Sequence, residues 1–330
     1  MRFAVVGNRH GHVFGMVRQV LAHPDCEITA VAEDRPECLA ELTALGDFSA
    51  YQDYRRMLDV EEVDAIILVT ANHEKADAIE DAVNRGLHVL VDKPVVTSIE
   101  GLTRVERALA RNSRVIYPWF TMRFTSIYRA ASRVVSDGLV GRVINCYVQN
   151  PHKMQLADRK PWELDDAMNG GAIVDLGCHS VDLVRWFSGK EVVEVTAHHA
   201  NLKFPQIPNF QDHGAILLKL EGGSSALLRT DWLSALGAAD FMDYLMIVAG
   251  DDGALEVRDG LDKHVRYATD ADDFRLVDPV DPPHGMIQDF LNNVRGDSPT
   301  LLTTKDAIEA TRVTLYARQS AEEGRTLRIP

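Results

Sequence analysis

The first third of the sequence repeats one pattern, in which short apolar runs alternate with segments of helical periodicity. Residues 65–70 form a continuous apolar run, as expected for a strand buried on both faces of a parallel sheet. Residues 12–22 place apolar side chains at helical spacing and follow another short apolar run, residues 3–7. Strand–helix–strand units with short connections make right-handed crossovers between parallel strands. This pattern therefore predicts a doubly wound parallel α/β sheet.

The pattern changes after about residue 120. A helix over residues 126–136 is followed by longer strands, and Gly222-Gly223 between two of them indicates a hairpin. We therefore predict two domains, residues 1–121 with the parallel sheet and residues 122–330 with an α+β fold. The longer strands are predicted at residues 143–149, 192–198, 215–220, 225–230 and 245–249, and the terminal helix at residues 305–323.

The charge balance narrows the classes of partner. Asp and Glu number 49 against 35 Lys and Arg, which gives a net charge of -14. An acidic chain is poorly suited to nucleic acid or to an anionic membrane surface, and no stretch approaches the roughly 20 apolar residues of a membrane helix. The four cysteines form no C-x-x-C pair, so we expect reduced thiols and a cytoplasmic protein.

The turn after the first predicted strand matches a dinucleotide-binding loop in part. It keeps the first glycine of G-x-G-x-x-G, but Arg9 and His12 stand where the second and third glycines would be. Free N–H groups at a helix N-terminus favour a pyrophosphate, although an ordinary strand-to-helix turn explains the sequence equally well. The candidate cofactor contacts are Gly7, Asn8, Arg9, His10, Gly11 and His12.

The second predicted strand ends in the acidic pair Glu33-Asp34, followed by Arg35. A carboxylate here accepts hydrogen bonds from the adenosine ribose and repels a 2′-phosphate, so we predict NAD as the cofactor. Arg35 leaves NADP possible, because an arginine can hold the 2′-phosphate. The alternative is that these residues only form a solvated strand end.

Two further segments carry candidate catalytic groups. Lys93 follows a strand predicted at residues 88–91, and ligands of open α/β sheets bind beyond the carboxyl ends of the strands. Asp175, His179 and Asp182 share one face of a predicted helix, within about 60° at about 100° per residue. A carboxylate one turn away orients an imidazole as a general base, and a plain structural pair is the alternative. Without a second histidine at helical spacing, we predict no metal here.

Taken together, these motifs resemble the Gfo/Idh/MocA oxidoreductases, which include glucose–fructose oxidoreductase and inositol dehydrogenases. The resemblance covers nearly the whole chain and implies a Rossmann domain followed by an α+β domain with an open, largely antiparallel sheet. It also implies a homodimer or homotetramer. The motifs that carry it are the turn at residues 7–12, Thr70-Ala71-Asn72-His73, Asp92-Lys93-Pro94, Arg123, and Gly170-Gly171 followed by Asp175, His179 and Asp182.

The reaction implied by the resemblance is NAD(P)-dependent hydride transfer at a carbinol carbon of a small sugar or polyol. Lys93, Asp175 and His179 match the family's catalytic residues: His179 takes the hydroxyl proton, Lys93 stabilises the oxygen, and Asp175 orients the site. Further implied cofactor contacts are Thr70, Ala71, Asn72, His73, Asp92, Lys93, Pro94 and Arg123. Implied substrate contacts are Lys93, Arg123, His152, Lys153, Trp162, Asp175 and His179.

The sequence departs from the family at the glycine loop and at Lys75, which replaces a frequent histidine. Some family members use NAD for glycoside cleavage or epimerisation with return of the hydride. Others have lost catalysis and act as dinucleotide-binding regulators. Both remain alternatives to a dehydrogenase.

Overall fold

A computed structural model describes residues 1–330 and divides the chain into two compact units. The first unit comprises Met1–Trp119 and His284–Ile308, and the second comprises Phe120–Pro283 and Glu309–Pro330. The division of the sequence at residues 121 and 122 stays a prediction of the domain organisation.

The strands and helices are numbered in chain order. The strands are β1 Arg2–Val6, β2 Glu27–Ala32, β3 Ser49–Tyr51, β4 Ala65–Leu68, β5 His88–Val91, β6 Ile116–Pro118, β7 Val143–Pro151, β8 Val192–Ala200, β9 His213–Leu220, β10 Ser225–Asp231, β11 Tyr244–Gly250, β12 Gly253–Asp259, β13 His264–Thr269, β14 Arg275–Leu276 and β15 Leu327–Arg328. The helices are α1 His12–Leu21, α2 Pro36–Thr43, α3 Tyr54–Val60, α4 Lys75–Asn84, α5 Ile99–Arg111, α6 Ser126–Ser136, α7 Asp166–Asn169, α8 Gly171–Asp175, α9 Gly177–Ser188, α10 Met286–Arg295 and α11 Thr304–Glu323. None of these helices has both the length and the apolar character needed to cross a membrane.

The first unit contains a parallel sheet in the order β3-β2-β1-β4-β5-β6. Every residue of β4 is buried, as its uninterrupted apolar sequence predicts for a central strand covered on both faces. Helix α10 also belongs to this unit, where the ring of Phe290 packs 5.7 Å from the rings of Phe3 and Tyr117. The predicted doubly wound fold is confirmed.

The second unit contains a nine-stranded sheet in the order β14-β13-β12-β11-β7-β10-β9-β8-β15. Strands β7 and β10 run parallel, and the other neighbouring strands run antiparallel. Buried and exposed side chains alternate along β9, which shows that one face of the sheet is covered and the other is open. This arrangement confirms the predicted α+β domain with a largely antiparallel sheet.

Candidate active site

The turn between β1 and α1 depends on Gly7. Its φ of +85° suits glycine, and a Cβ at this position would lie 2.8 Å from Thr70 N and Val69 O. By contrast, the space around a Cβ at Gly11, the N-cap of α1, is open. The first glycine of the predicted loop is therefore required by the close approach of the backbone at the end of β4.

Glu33, at the end of β2, is turned inward onto this loop. Its Oε2 accepts a 2.8 Å hydrogen bond from the backbone N–H of Asn8, and its Oε1 accepts one of 3.1 Å from that of Arg35. The guanidinium of Arg9 lies 3.2 Å from Oε1, and Glu33 is 3% exposed. Both carboxylate oxygens therefore stabilise the loop, which leaves Asp34 as the accessible acid of the pair.

The two acidic side chains have opposite pKa shifts. Burial raises the pKa of Glu33, whereas a side-chain hydrogen bond with Glu33 lowers the pKa of Asp34. Asp34 is also paired with the guanidinium of Arg9, and its side chain is 69% exposed. Asp34 is therefore the solvent-facing carboxylate at the end of β2, and its lowered pKa favours its charged form.

A cavity of about 370 Å³ lies beside these residues in the first unit. Residues 52–55 form a part of its lining that was not predicted from the sequence, although they follow β3 and so stand beyond the carboxyl end of a parallel strand. The lining carries more carboxylates than guanidinium groups. It comprises Val6, Gly7, Arg9, Ala32, Glu33, Asp34, Gln52, Asp53, Tyr54, Arg55, Thr70, Glu74, Asp77 and Ala78.

His10, His12 and Asp92 come together at the start of α1. His12 Nδ1 lies 2.7 Å from Asp92 Oδ1, and His10 Nδ1 accepts a 3.2 Å hydrogen bond from the backbone N–H of His12. One ligand atom from each of the three lies within 4.8 Å of the others, and the set has the donor types of a metal site. Their position at the start of α1 equally suits hydrogen bonding to a phosphate.

The segments after β4 and β5 are mostly buried. Asn72 begins a short 3-10 helix, Asn72–Glu74, in which Glu74 Oε2 accepts a 3.2 Å hydrogen bond from the backbone N–H of Ala71, while His73 is exposed. Asp92, Lys93 and Pro94 form a buried turn after β5, and Lys93 is 9% exposed. Thr70 is half-buried and lines the cavity.

In the second unit, Asp175 and His179 do not share one helix. Asp175 ends α8, His179 lies in α9, and Leu176 separates the two. The carbonyl oxygen of Leu176 accepts a 2.8 Å hydrogen bond from the side-chain amide of Asn150. Asp175 is buried, whereas His179 is half-buried and lies 5.5 Å from the ring of Phe120. The prediction of one continuous helix over these residues is therefore wrong, because the helix is interrupted at Leu176.

Arg123 and Asp182 form a buried bidentate ion pair. Arg123 Nη2 lies 2.6 Å from Asp182 Oδ1, and Arg123 Nε lies 3.0 Å from Oδ2. The guanidinium is also 5.5 Å from the centre of the Trp186 ring. Two parallel hydrogen bonds fix the direction of the Arg123 side chain inside the second unit.

Three of the predicted substrate residues of the second unit are His152, Lys153 and Trp162, and His152 lies among aromatic rings. The ring of His152 is within 6 Å of three aromatic rings, those of Trp232, Phe241 and Tyr244. The ammonium of Lys153 donates to the main-chain carbonyl of Ala238. Trp162 is buried in the 3-10 helix Pro161–Leu164, and its indole N–H has no protein partner.

Two successive segments of this chain match known sequence families. Residues 1–120 match the family described as "Oxidoreductase family, NAD-binding Rossmann fold", and residues 128–256 match the "GFO/IDH/MocA C-terminal domain". The chain belongs to the Gfo/Idh/MocA family. Its first unit is accordingly the NAD-binding Rossmann domain of an oxidoreductase.

Several individual proteins resemble this Gfo/Idh/MocA protein. The myo-inositol 2-dehydrogenase of Thermotoga maritima is 22% identical over 100% of this chain and 98% of its own length. Inositol 2-dehydrogenase 2 of Saccharopolyspora erythraea is 30% identical, but the match covers only 51% of this chain and 47% of that protein. The structure of myo-inositol 2-dehydrogenase from Lactobacillus plantarum superimposes with a TM-score of 0.80 and 25% identity, covering 100% of this chain and 99% of that one.

The residues of the first unit fit the dinucleotide expected in a Gfo/Idh/MocA protein. Gly7 permits a close backbone approach at the start of α1, and Asp34 offers a charged acceptor at the end of β2. The acidic cavity lining is unfavourable for an additional phosphate on the ribose. These three features suit NAD, although the second and third glycines of the usual loop are absent.

Proposed function

We propose that this protein is an NAD-dependent dehydrogenase that oxidises a CH–OH group of a sugar or polyol. The observation that carries the proposal is the match of residues 1–120 to an NAD-binding oxidoreductase family in a chain that also holds Lys93, Asp175 and His179. When bound, the nicotinamide accepts the hydride that leaves the carbinol carbon. The chain's own residues bind the alcohol and move its proton.

We assign the proton transfer to His179. Its half-buried imidazole has access to a ligand, and imidazole is the side chain that most often serves as a general base in enzymes. Lys93 donates a hydrogen bond to the reacting oxygen, which stabilises negative charge on that oxygen as its proton leaves. Asp175 lies two residues before the start of α9, the helix that carries His179. In this proposal its carboxylate orients the imidazole and the substrate.

Asp34 is the residue that we propose to select NAD over NADP. Its exposed carboxylate accepts from ribose hydroxyls and repels a 2′-phosphate, whereas Glu33 is committed to the backbone of the loop. Arg9 and Arg35 would favour a 2′-phosphate if this carboxylate were removed. Arg35 Nε lies 3.6 Å from Glu33 Oε1, and Arg35 Nη2 has no hydrogen-bond partner.

Asp34→Ser is expected to lower the ratio of kcat/KM for NAD to that for NADP by about 10- to 100-fold. This range corresponds to the loss of hydrogen bonds to a charged group, each contributing about 1.5–3 kcal/mol. Steady-state kinetics with both cofactors measures the ratio. Glu37→Ser is the matched control, because Glu37 is an exposed acid on α2 that does not line the cavity. An unchanged ratio in Asp34→Ser would remove Asp34 from cofactor selection.

The proposed substrate contacts in the second unit are His152, Trp162 and Lys153, in addition to Arg123. The indole N–H of Trp162 is a buried donor without a protein acceptor, and such a donor suits a hydroxyl of a polyol. The aromatic rings around His152 suit the apolar face of a sugar ring. Together, these groups favour a polyhydroxylated ring as substrate.

The experiment follows absorbance at 340 nm with NAD and with NADP over myo-inositol, scyllo-inositol, D-xylose, D-glucose and sugar acids. We expect net NADH formation with at least one cyclic polyol or sugar. Product release without net NADH would instead indicate cleavage or epimerisation with return of the hydride. Failure of NAD and NADP to bind in calorimetry would exclude both kinds of enzyme, whereas NAD binding without turnover of any substrate would indicate a dinucleotide-binding regulator.

We further propose a cytoplasmic homodimer or homotetramer that assembles through the open face of the nine-stranded sheet. Leu217 and Leu227 are 47% and 49% exposed there, and Leu227 pairs across the strands with both Leu217 and Tyr147. An exposed apolar row of this kind marks a protein interface. Light scattering is expected to give the mass of a dimer or tetramer for the wild type and a smaller assembly for Leu227→Glu. A monomeric wild type would contradict this assembly.

A further inference from the structure

Lys75 is a fully buried lysine whose ammonium meets the turn that carries Lys93. It is the first residue of α4 and is 0% exposed. Its Nζ donates to three consecutive main-chain carbonyls, those of Asp92 at 2.7 Å, Lys93 at 3.3 Å and Pro94 at 3.1 Å. One side chain thus binds the backbone on both sides of Lys93.

Hydrogen bonds to main-chain carbonyls compensate the buried charge of Lys75. An ammonium has three donors and no acceptor, and three carbonyl oxygens converge on it. A buried charge is tolerated only when it is paired and hydrogen-bonded. Burial by itself raises the pKa of Asp92, but the charges of His12 and Lys75 hold it well below its usual range, so the Asp92 carboxylate also helps to balance this ammonium.

Without Lys75, the three carbonyls of the turn would remain in a site closed to solvent. A buried acceptor without a donor is destabilising, so the turn would shift to recover hydrogen bonds. Lys93 lies at the centre of this turn, and its side chain would move with the backbone. A displacement of about 1 Å at a reacting group lowers a rate by about 100-fold.

We propose that Lys75 is a positioning residue for hydride transfer, which sets the direction of the Lys93 side chain by holding the carbonyls of the Asp92-Lys93-Pro94 turn. This inference rests on the proposed function, in which Lys93 binds the reacting oxygen. Lys75 itself touches neither substrate nor cofactor. Its effect is therefore on kcat rather than on binding.

The test replaces Lys75 by methionine, which fills a similar volume without a donor. We expect kcat to fall by about 10- to 100-fold with the fastest sugar or polyol of the 340 nm panel. KM for that substrate and Kd for NAD, measured by calorimetry, should stay within about threefold, since the binding groups are retained. Lys190→Met is the matched control, because Lys190 Nζ also donates to a main-chain carbonyl, that of Val143, but lies in the second unit. Its kcat should equal that of the wild type.

The outcomes separate this inference from the proposed function. Lys93→Ala, measured in parallel, should lose at least about 100-fold in kcat, and normal turnover in it would overturn the role of Lys93. If Lys93→Ala is impaired while folded Lys75→Met retains wild-type kcat, the positioning role is wrong. Should Lys75→Met fail to fold, Lys75→Gln keeps a shorter polar donor. An intermediate loss of kcat at constant KM in Lys75→Gln supports the role, and wild-type kcat contradicts it.

Discussion

His179→Ala is expected to lower kcat by about 100-fold or more, because it removes the group that accepts the hydroxyl proton as the hydride leaves. The folded structure should persist, since His179 is half-buried at the start of α9 rather than in the core. NAD affinity should stay within about threefold, because the general base contributes to the transition state more than to cofactor binding. Steady-state kinetics at 340 nm, calorimetry and circular dichroism measure these three quantities.

His198→Ala is the control for this variant. It removes an exposed imidazole from β8 in the same unit and should leave kcat unchanged. Measuring the pH dependence of kcat/KM adds a second criterion, because the limb that reports the general base should disappear in His179→Ala. Near-normal turnover in His179→Ala would show that another group takes the proton.

Arg123→Met is expected to destabilise the protein by about 3–5 kcal/mol, because it leaves the carboxylate of Asp182 buried without its partner. Asp182 is 1% exposed and receives two hydrogen bonds from Arg123, so water cannot replace the guanidinium without local opening. Urea unfolding followed by circular dichroism measures the change in the free energy of unfolding. The loss should appear as a lower midpoint at a similar slope.

The double variant Arg123→Met/Asp182→Leu is the matched control for the pair. Replacing both charges by apolar groups removes the uncompensated carboxylate, so most of the lost stability should return. Activity provides a separate readout, because Arg123 is also a proposed contact of cofactor and substrate. A loss below about 1 kcal/mol in Arg123→Met would show that the buried carboxylate finds another partner.

Local sequence patterns predict those strands and helices whose apolar residues follow a regular spacing within the segment itself. The apolar run of β4 and the helical spacing of α1 both lie within a residue or two of their predicted positions. The packing of α10 on the first unit could not be predicted in this way. It depends on contacts such as the 2.9 Å hydrogen bond from the Tyr117 hydroxyl to Asp289, between residues far apart in the sequence.

The details of the candidate site also depend on partners that are distant in sequence. At the interruption of the helix, the carbonyl oxygen of Leu176 accepts a hydrogen bond from the Asn150 side chain, and periodicity within the segment carries no sign of this contact. The inward direction of Glu33 follows from the backbone N–H of Asn8, so the sequence alone could not separate Glu33 from Asp34. The buried ammonium of Lys75 is visible in the sequence only as an unexpected residue.

Transfer of deuterium from substrate to cofactor is the most direct test of the proposed chemistry. The fastest polyol of the panel, deuterated at its carbinol carbons, is incubated with NAD, and the nicotinamide product is isolated for mass spectrometry and NMR. The proposed function predicts reduced cofactor that carries one deuterium at C4 of the nicotinamide. Substrate conversion without deuterium in the reduced cofactor would contradict net oxidation of the substrate by NAD as the reaction of this protein.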